Sequence, residues 1–482
     1  MREYVAHLQT LSQKQLVLAL ARQRAAETQG AAVVGIGCRL PGGLDGPAAF
    51  WEVLRSGRNV LPASGRVPRD STGRPRWNLT DGDFSDWAQE LSYGGYLEGV
   101  DLFDAERFGI SAEEAVQLDP QQRLLLTVAD EALADAGMDR AQRAGHRVGV
   151  WTTVGTVEYH HAALRGGAAP ASVSPYAALG SAPSGGAARV AHGLGLDGPA
   201  LTVDTACSST LVAVQLALAA LRRDECDVAV VGAANLLLSP LSTVACARAG
   251  MLSPTGRSRP LTAHADGHVR AEGCGVVVLC RQSDAARFSA TPYAVLRGGA
   301  VHQHGSRADI ATPSAEGQRH TMAMALRNAD VRAEEVQYVE AHANGSRLGG
   351  LIETEALAAA YRGGDLLVGS HKANIGYLEA ASGAAGLIKV ALALAHREIP
   401  AHPGAAEPEP EAPWSDTLRL PRETVPWPTA ARMLAGVSAV GFSGTQAHVL
   451  LEAAPTPRTA EDRPAPRRTD VRSYWAEQNR WT

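Results

Sequence analysis

The sequence predicts an α/β protein. Short apolar runs rich in β-branched residues alternate with helix-period segments from residue 31 to about residue 452, the pattern of strands that cross over through helices onto a common sheet. Two strand-like segments, LTVDTAC (201–207) and GVSAVGFSG (436–444), each stop at a glycine- or serine-rich turn and lie in different halves of the chain. That placement predicts a site where two halves meet.

The elements follow in order. Residues 1–29 carry Leu8, Leu11, Leu16, Val17, Leu18 and Leu20 among Gln, Arg and Glu, a helical spacing that ends near Gly30. From Ala31, AAVVGIGCRLPGG reads as a buried strand running into a Gly-Pro loop. The body is expected to divide into halves spanning 30–280 and 281–452. Beyond it, from Ala453 to Arg468, Pro, Thr, Arg and Glu dominate and large apolar residues are almost absent, so 453–482 is expected to be a tail along the surface or mobile. The aromatics of its last segment, RSYWAEQNRWT, leave docking and a free end both open.

Composition excludes several classes of function. With 45% apolar residues and 49 glycines in 482 positions, the chain buries one large core or two fused ones. A net charge of -5 leaves no electrostatic footprint for nucleic acid or anionic lipid. No apolar run reaches the roughly 18 residues needed to cross a bilayer. The first residues, MREYVAHLQTLSQKQL, lack the apolar stretch of a secretion signal, so no membrane partner and a cytoplasmic location are expected. Six cysteines (Cys38, Cys207, Cys226, Cys246, Cys274 and Cys280) form no Cys-x-x-Cys pair, which argues against zinc and against a disulfide framework. Most are expected to be small buried hydrophobes.

Cys207 stands apart. In LTVDTACSSTLVAVQLALAALRR a β-branched strand passes through a short turn into a long helix beginning around Cys207 to Ser209, which puts Cys207 at a helix N-terminus. Free N–H groups and the helix dipole there favour a thiolate, and the expectation is a thiol drawn down from about 8.5 towards neutrality. The strand-turn-helix context alone leaves a reactive and a structural cysteine equally open.

The wider segment GPALTVDTACSSTLVAVQLA resembles the active-site stretch of polyketide ketosynthases, members of the beta-ketoacyl synthase family. YGGYL (93–97), LDPQQRLLL (118–126), RAGMLSPTGR (248–257) and EGCGVVVL (272–279) are similar to further landmarks of that family, in the same order. The resemblance covers roughly Ala31 to Glu452. It implies a thiolase fold, with two similar halves building a five-layer αβαβα core in a homodimer, and acyl transfer to Cys207 from the phosphopantetheine of an acyl or peptidyl carrier protein. No bound cofactor is implied. It also implies an oxyanion hole formed by the backbone N–H groups of Cys207 and Phe442, with Phe442 as a gate; on pattern alone Phe442 reads as core.

The family pairs its cysteine with two histidines, and only one has a counterpart. His342, in VEAHANGSRLGGLIE, matches the histidine of an HGTGT-type loop and is assigned acid/base or oxyanion-donor work. Its loop departs from the pattern, with Asn344 in HANGS and Leu348-Gly349-Gly350-Leu351 in place of LGDP. In GSHKANIGYLEAASG the supporting residues Lys372, Asn374 and Glu379 are retained, yet Tyr377 stands where the second histidine belongs. A phenol, with its pKa near 10, donates one hydrogen bond but never acts as an imidazolium. Decarboxylation, which develops charge between two donors worth about 2.7–4 kcal/mol each, is expected to suffer. His302 and His304 replace family Asn and Asp, Ser443 replaces a glycine and Gln446 an Asn; these are candidate pocket residues. A His-x-His pair on a strand lacks the further ligands of a zinc site, so no metal is expected.

The resulting expectation is a free-standing acyltransferase serving a carrier protein in trans, similar to salinosporamide-type ketosynthase-like bicyclases. It would close a ring by aldol or lactone chemistry without decarboxylation. An ordinary condensing enzyme, a non-catalytic partner subunit and an excised megasynthase fragment are the alternatives.

Overall fold

The computed structural model describes residues 10–476 apart from 63, 81–82, 162–172, 288–290, 306–309, 311, 457 and 459–469. Ten principal strands make one continuous sheet. In the first half they are β1 (Ala31–Leu40), β2 (Val148–Val154), β3 (Ala200–Thr202), β4 (Val228–Asn235) and β5 (Gly273–Arg281). In the second half they are β6 (Ala294–Gln303), β7 (Tyr338–Glu340), β8 (Leu366–Gly369), β9 (Leu434–Val440) and β10 (Thr445–Ala453).

The first half is ordered β3-β2-β4-β5-β1 and the second β8-β7-β9-β10-β6, so the same five-strand topology occurs twice. The pairings repeat as well. Strands β3, β2 and β4 run parallel and β5 antiparallel to β4, as β8, β7 and β9 run parallel and β10 antiparallel to β9. The halves join where Ala31, Ala32 and Val33 of β1 pair with Leu296, Val295 and Ala294 of β6.

Helices complete the layers. Helices α1 (Gln13–Thr28), α2 (Pro120–Asp135), α3 (Gly185–Leu194), α4 (Ser209–Arg222), α5 (Ala315–Ala329), α6 (Arg347–Ala360) and α7 (Ser382–His396) are the long ones among the described residues. The apolar helices α4 and α7 touch each other and strands of both halves, forming the middle layer. On the outer face of the first half lie α2 and α3, and on that of the second α5 packs against β6 and β10 with α6 beside it. The expected αβαβα thiolase arrangement is thus present. Its core comprises a central cluster around α4 and α7, including Leu211, Val214 and Ile388, and an outer cluster on each side. Because α7 is buried on nearly every face, its sequence is apolar all round.

The N-terminal helix α1 starts at a capping box on Ser12, and Val17, Leu18 and Leu20 are exposed rather than packed; Leu8 lies outside the described residues. The C-terminal segment is more firmly held than its composition suggests. The Arg458 guanidinium donates to Val34 O, Thr291 O and Asp135 Oδ1 at 3.2, 3.0 and 2.8 Å. Arg472–Ser473 pairs with Leu102–Phe103, and the Trp475 ring stands edge-on to Tyr159 at 5.4 Å. For the first part of RSYWAEQNRWT docking is observed, and residues 477–482 lie outside the described residues. No helix among the described residues is long and apolar enough to cross a membrane.

Candidate active site

The turn that presents Cys207 is built by its own side chains. After β3, Ala206 adopts a left-handed φ of 56°, a conformation that costs a non-glycine residue about 1–2 kcal/mol and persists only where surrounding bonds enforce it. Here the Ala206 N–H donates to Asp204 Oδ1 at 2.9 Å, the Thr205 N–H to Ser209 Oγ at 2.7 Å and Ser208 Oγ to Thr205 O at 2.8 Å. Helix α4 then starts at Ser209, with Ser208 as its N-cap.

Cys207 is 7% exposed. Burial pushes its thiol up to about 11, against the opposing pull of hydrogen bonds from the Tyr377 hydroxyl and the Phe442 N–H and of the Lys372 charge. This corrects the expected drop towards neutrality. The helix begins after Cys207, and desolvation of a nearly enclosed sulfur outweighs the dipole. The other cysteines are also raised, from Cys226 at about 11 to Cys38 and Cys280 at about 12, so what distinguishes Cys207 is its two directed donors.

One donor comes from the β9–β10 turn. Phe442 is 67% exposed, at the surface rather than in the core. The turn sits close to the sulfur because Gly441 lies flat against the nucleophile turn: a Cβ there would meet Thr205 O at 2.4 Å.

The other donor, Tyr377, is held by its backbone. Its N–H donates to Val269 O and its carbonyl accepts from the Ala271 N–H, both at 2.8 Å. Its ring is walled edge-on by His342 at 5.8 Å and by His268 at 5.2 Å, with Lys372 Nζ 5.8 Å from the centroid. Burial, followed by the neighbouring sulfur, pushes the phenol well above its ordinary pKa, so it is a donor at every physiological pH.

His342 lies in the loop just past β7, and Glu353 of α6 fixes that loop by accepting the His342 and Ala343 N–H groups at 2.7 Å each. Burial, reinforced by Lys372 and His371, holds the His342 imidazole well below its usual pKa and therefore neutral. Burial likewise brings Lys372 down to about 8.

The remaining predicted residues play other parts. Asn374 is fully buried and donates to Arg58 O at 2.8 Å, bracing a loop. Glu379 forms a buried ion pair with Arg270 (Nη2–Oε2 3.0 Å), whose Nη1 also reaches Thr243 Oγ1 at 2.7 Å. Asn344 accepts the Ser346 N–H at 3.0 Å and shapes the turn into α6. Ser443 is half-buried, and its carbonyl accepts from Gln303 Nε2 at 3.2 Å. His302 lies opposite Gln446 in the β6–β10 register, with its ring 4.7 Å from that of His320 and tilted 48° to it, and with His304 6.4 Å away. Among the described residues no group of three His, Cys, Asp or Glu side chains has metal-holding geometry.

Sequence reasoning missed His268, Arg270 and Glu353. His268 and Arg270 act on Tyr377 and Glu379, about a hundred residues away, and Glu353 closes the VEAHANGSRLGGLIE segment a few turns beyond His342. The only local signal was that HVR directly precedes the AEGCGVVVL landmark.

The comparisons with known proteins concern the family and the fold. Residues 29–285 match the beta-ketoacyl synthase N-terminal domain and residues 293–405 the C-terminal domain. One phenolphthiocerol/phthiocerol polyketide synthase protein of Mycobacterium tuberculosis is 43% identical over 437 residues, 89% of this chain but 20% of that protein. Another protein of the same synthase is 43% identical over 442 residues, 89% of this chain and 28% of its own length; the chain thus spans less than a third of these curated relatives. Among solved structures, the oxazolomycin ketosynthase domain of Streptomyces albus JA3453 is 33% identical with a TM-score of 0.80, covering 91% of this chain and 76% of that one. The ketosynthase from module 6 of the Bacillus subtilis 168 bacillaene synthase is 31% identical with a TM-score of 0.78, covering 89% and 72%. With its thiolase fold and both domains matched, the chain belongs to the beta-ketoacyl synthase family.

Proposed function

We propose that this ketosynthase-like enzyme loads a carrier-bound acyl thioester on Cys207 and then closes a ring without decarboxylation. The observation that carries the reading is the buried phenol of Tyr377 beside Cys207, whose hydroxyl opposes the rise that burial imposes on the thiol, in the segment where the family's second histidine belongs. In the loading step the sulfur attacks the thioester carbonyl, its proton passes to His342, and the phosphopantetheine thiol leaves with that proton. The N–H groups of Phe442 and Cys207 suit the oxyanion of the tetrahedral adduct. In the closing step His342 moves the proton from an enolisable carbon or a hydroxyl of the acyl chain. Tyr377 donates to the acceptor carbonyl as it becomes an alkoxide, giving an aldol carbon–carbon bond; a lactone-forming alkoxide displaces the Cys207 thiolate and frees the product. A neutral imidazole and a neutral phenol suit general acid–base work on an uncharged chain. They are poorly suited to the carbanion left by carbon dioxide loss.

Ordinary decarboxylative condensation is the second reading, favoured by the 43% identity to a protein named as part of a polyketide synthase. The deciding measurement is carbon dioxide release from malonyl-carrier protein beside a competent ketosynthase. Rates more than about a hundredfold lower, with acyl transfer to Cys207 intact by mass spectrometry, support ring closure, whereas comparable rates select condensation.

The carrier is taken to be a separate acyl or peptidyl carrier protein in the cytoplasm, and the chain to be a homodimer. The edge strand β3 supports the latter: it ends the sheet with Leu201 47% exposed, and an uncovered apolar edge is a surface that proteins cover. A monomeric mass by light scattering at micromolar concentration would contradict pairing.

A further inference from the structure

Tyr377 has two aromatic walls, and only His342 belongs to the ketosynthase site recognised in the sequence. His268 is the other. Its ring lies edge-to-face on the phenol at 5.2 Å and 75°, closer than that of His342 at 5.8 Å and 84°. It is 7% exposed, and its imidazole makes no side-chain hydrogen bond among the described residues.

The backbone holds this ring in place from both sides. The His268 N–H donates to Met251 O at 3.0 Å and its carbonyl accepts from Ser253 N–H at 2.9 Å. The next residues, Val269 and Ala271, carry the two hydrogen bonds that hold the Tyr377 backbone. Before it, the Gly267 N–H donates to Gly345 O at 3.0 Å, and a Cβ on Gly345 would stand 2.3 Å from Gly267 O. The segment bearing His268 therefore ties together the HANGS loop that carries His342 and the segment that carries Tyr377.

We propose that His268 is a positioning residue of the active site: its ring, with that of His342, forms a slot that aims the Tyr377 hydroxyl at Cys207. Burial brings this imidazole down to about 4, so the wall is uncharged. It shapes the phenol without competing for its proton. The inference rests on the reading of Cys207 as the acylated nucleophile with Tyr377 as its donor.

The test compares His268→Leu, which fills the space without a ring, with His268→Phe, which restores the ring without nitrogens. It is run in the full chain, with melting temperature as the control for folding. An aromatic edge-to-face contact governs an equilibrium by about two- to tenfold. His268→Leu is expected to slow iodoacetamide alkylation of Cys207 at pH 8, and kcat for acyl loading from an acyl-pantetheine, by that factor, with KM little changed. Loss of packing alone would admit water and speed alkylation, because burial is what raises this thiol. His268→Phe is expected to recover most of both rates. In a Tyr377→Phe background the leucine substitution is expected to add nothing further.

Three results would each overturn the proposal: unchanged or faster alkylation in His268→Leu, a His268→Phe variant as impaired as the leucine, or a full effect persisting without the Tyr377 hydroxyl. Failure of the underlying reading is distinguishable, since peptide mapping of the unsubstituted protein would then find the acyl group on a residue other than Cys207.

Discussion

Removing one oxygen from Tyr377 tests the site with little change of shape. Tyr377→Phe keeps the ring between His268 and His342 and deletes the donor to the Cys207 sulfur. That hydrogen bond opposes the burial that raises the thiol to about 11, so its loss raises the thiol further and lowers the thiolate fraction at neutral pH. A hydrogen bond to a charged group is worth about 1.5–3 kcal/mol. At about 1.36 kcal/mol per decade, acyl loading is expected to slow by about 10- to 150-fold. Ring closure is expected to lose about 10²–10³, the cost of an oxyanion donor, so product formation falls further than loading. The assay is intact-protein mass spectrometry of the Cys207 adduct, timed alongside product release. Tyr377→His asks the converse and is expected to gain carbon dioxide release from malonyl-carrier protein at the expense of closure. A Tyr377→Phe variant that loads and turns over like the parent would refute the role given to the hydroxyl.

Gly441→Ala places a Cβ 2.4 Å from Thr205 O and is expected to push the Phe442 N–H off the sulfur, costing at least about tenfold in acylation while circular dichroism stays unchanged. Arg76 and Glu272 form an ion pair at 2.8 Å with side chains 1% and 0% exposed; Arg76→Ala strands a buried carboxylate and is expected to cost about 3–5 kcal/mol in urea unfolding. Burial depresses His268 and His402 to about 4 and His448 to about 3. The unfolded chain binds protons at these groups from about pH 6.5 downward while the folded chain does not. Stability is therefore expected to be full above pH 6.5 and to fall progressively towards pH 4, read as a declining melting temperature. A flat profile across that window would contradict the burial of these imidazoles.

The alternation of strands and helices, the meeting of two halves, the strand-turn-helix around Cys207 and the tyrosine in the KANIGY segment are local patterns, legible from neighbours within a few residues. They were sufficient for the α/β class, whereas the thiolase fold and the choice of Cys207 as nucleophile came from the resemblance of GPALTVDTACSSTLVAVQLA and the other landmarks to ketosynthases. Asn374 and Glu379 were legible as members of the segment. Only the folded chain shows that one braces Arg58 and the other neutralises Arg270. His268 was invisible because its partner Tyr377 reaches it through a register set by distant backbone, not by spacing. The direction of the Cys207 shift was misjudged for a related reason: a helix dipole is a property of the local chain, whereas desolvation depends on every layer that closes over the sulfur. The tail shows the same division. Its composition reads as a surface or mobile segment, and while 459–469 lie outside the described residues, Arg458 and Trp475 dock into places that other parts of the chain had already made. What the sequence alone determined is which residues have the chemistry and where the chain turns. The tertiary structure decided which of them face one another and how much water remains between them, because both are sums over contacts that no local window contains.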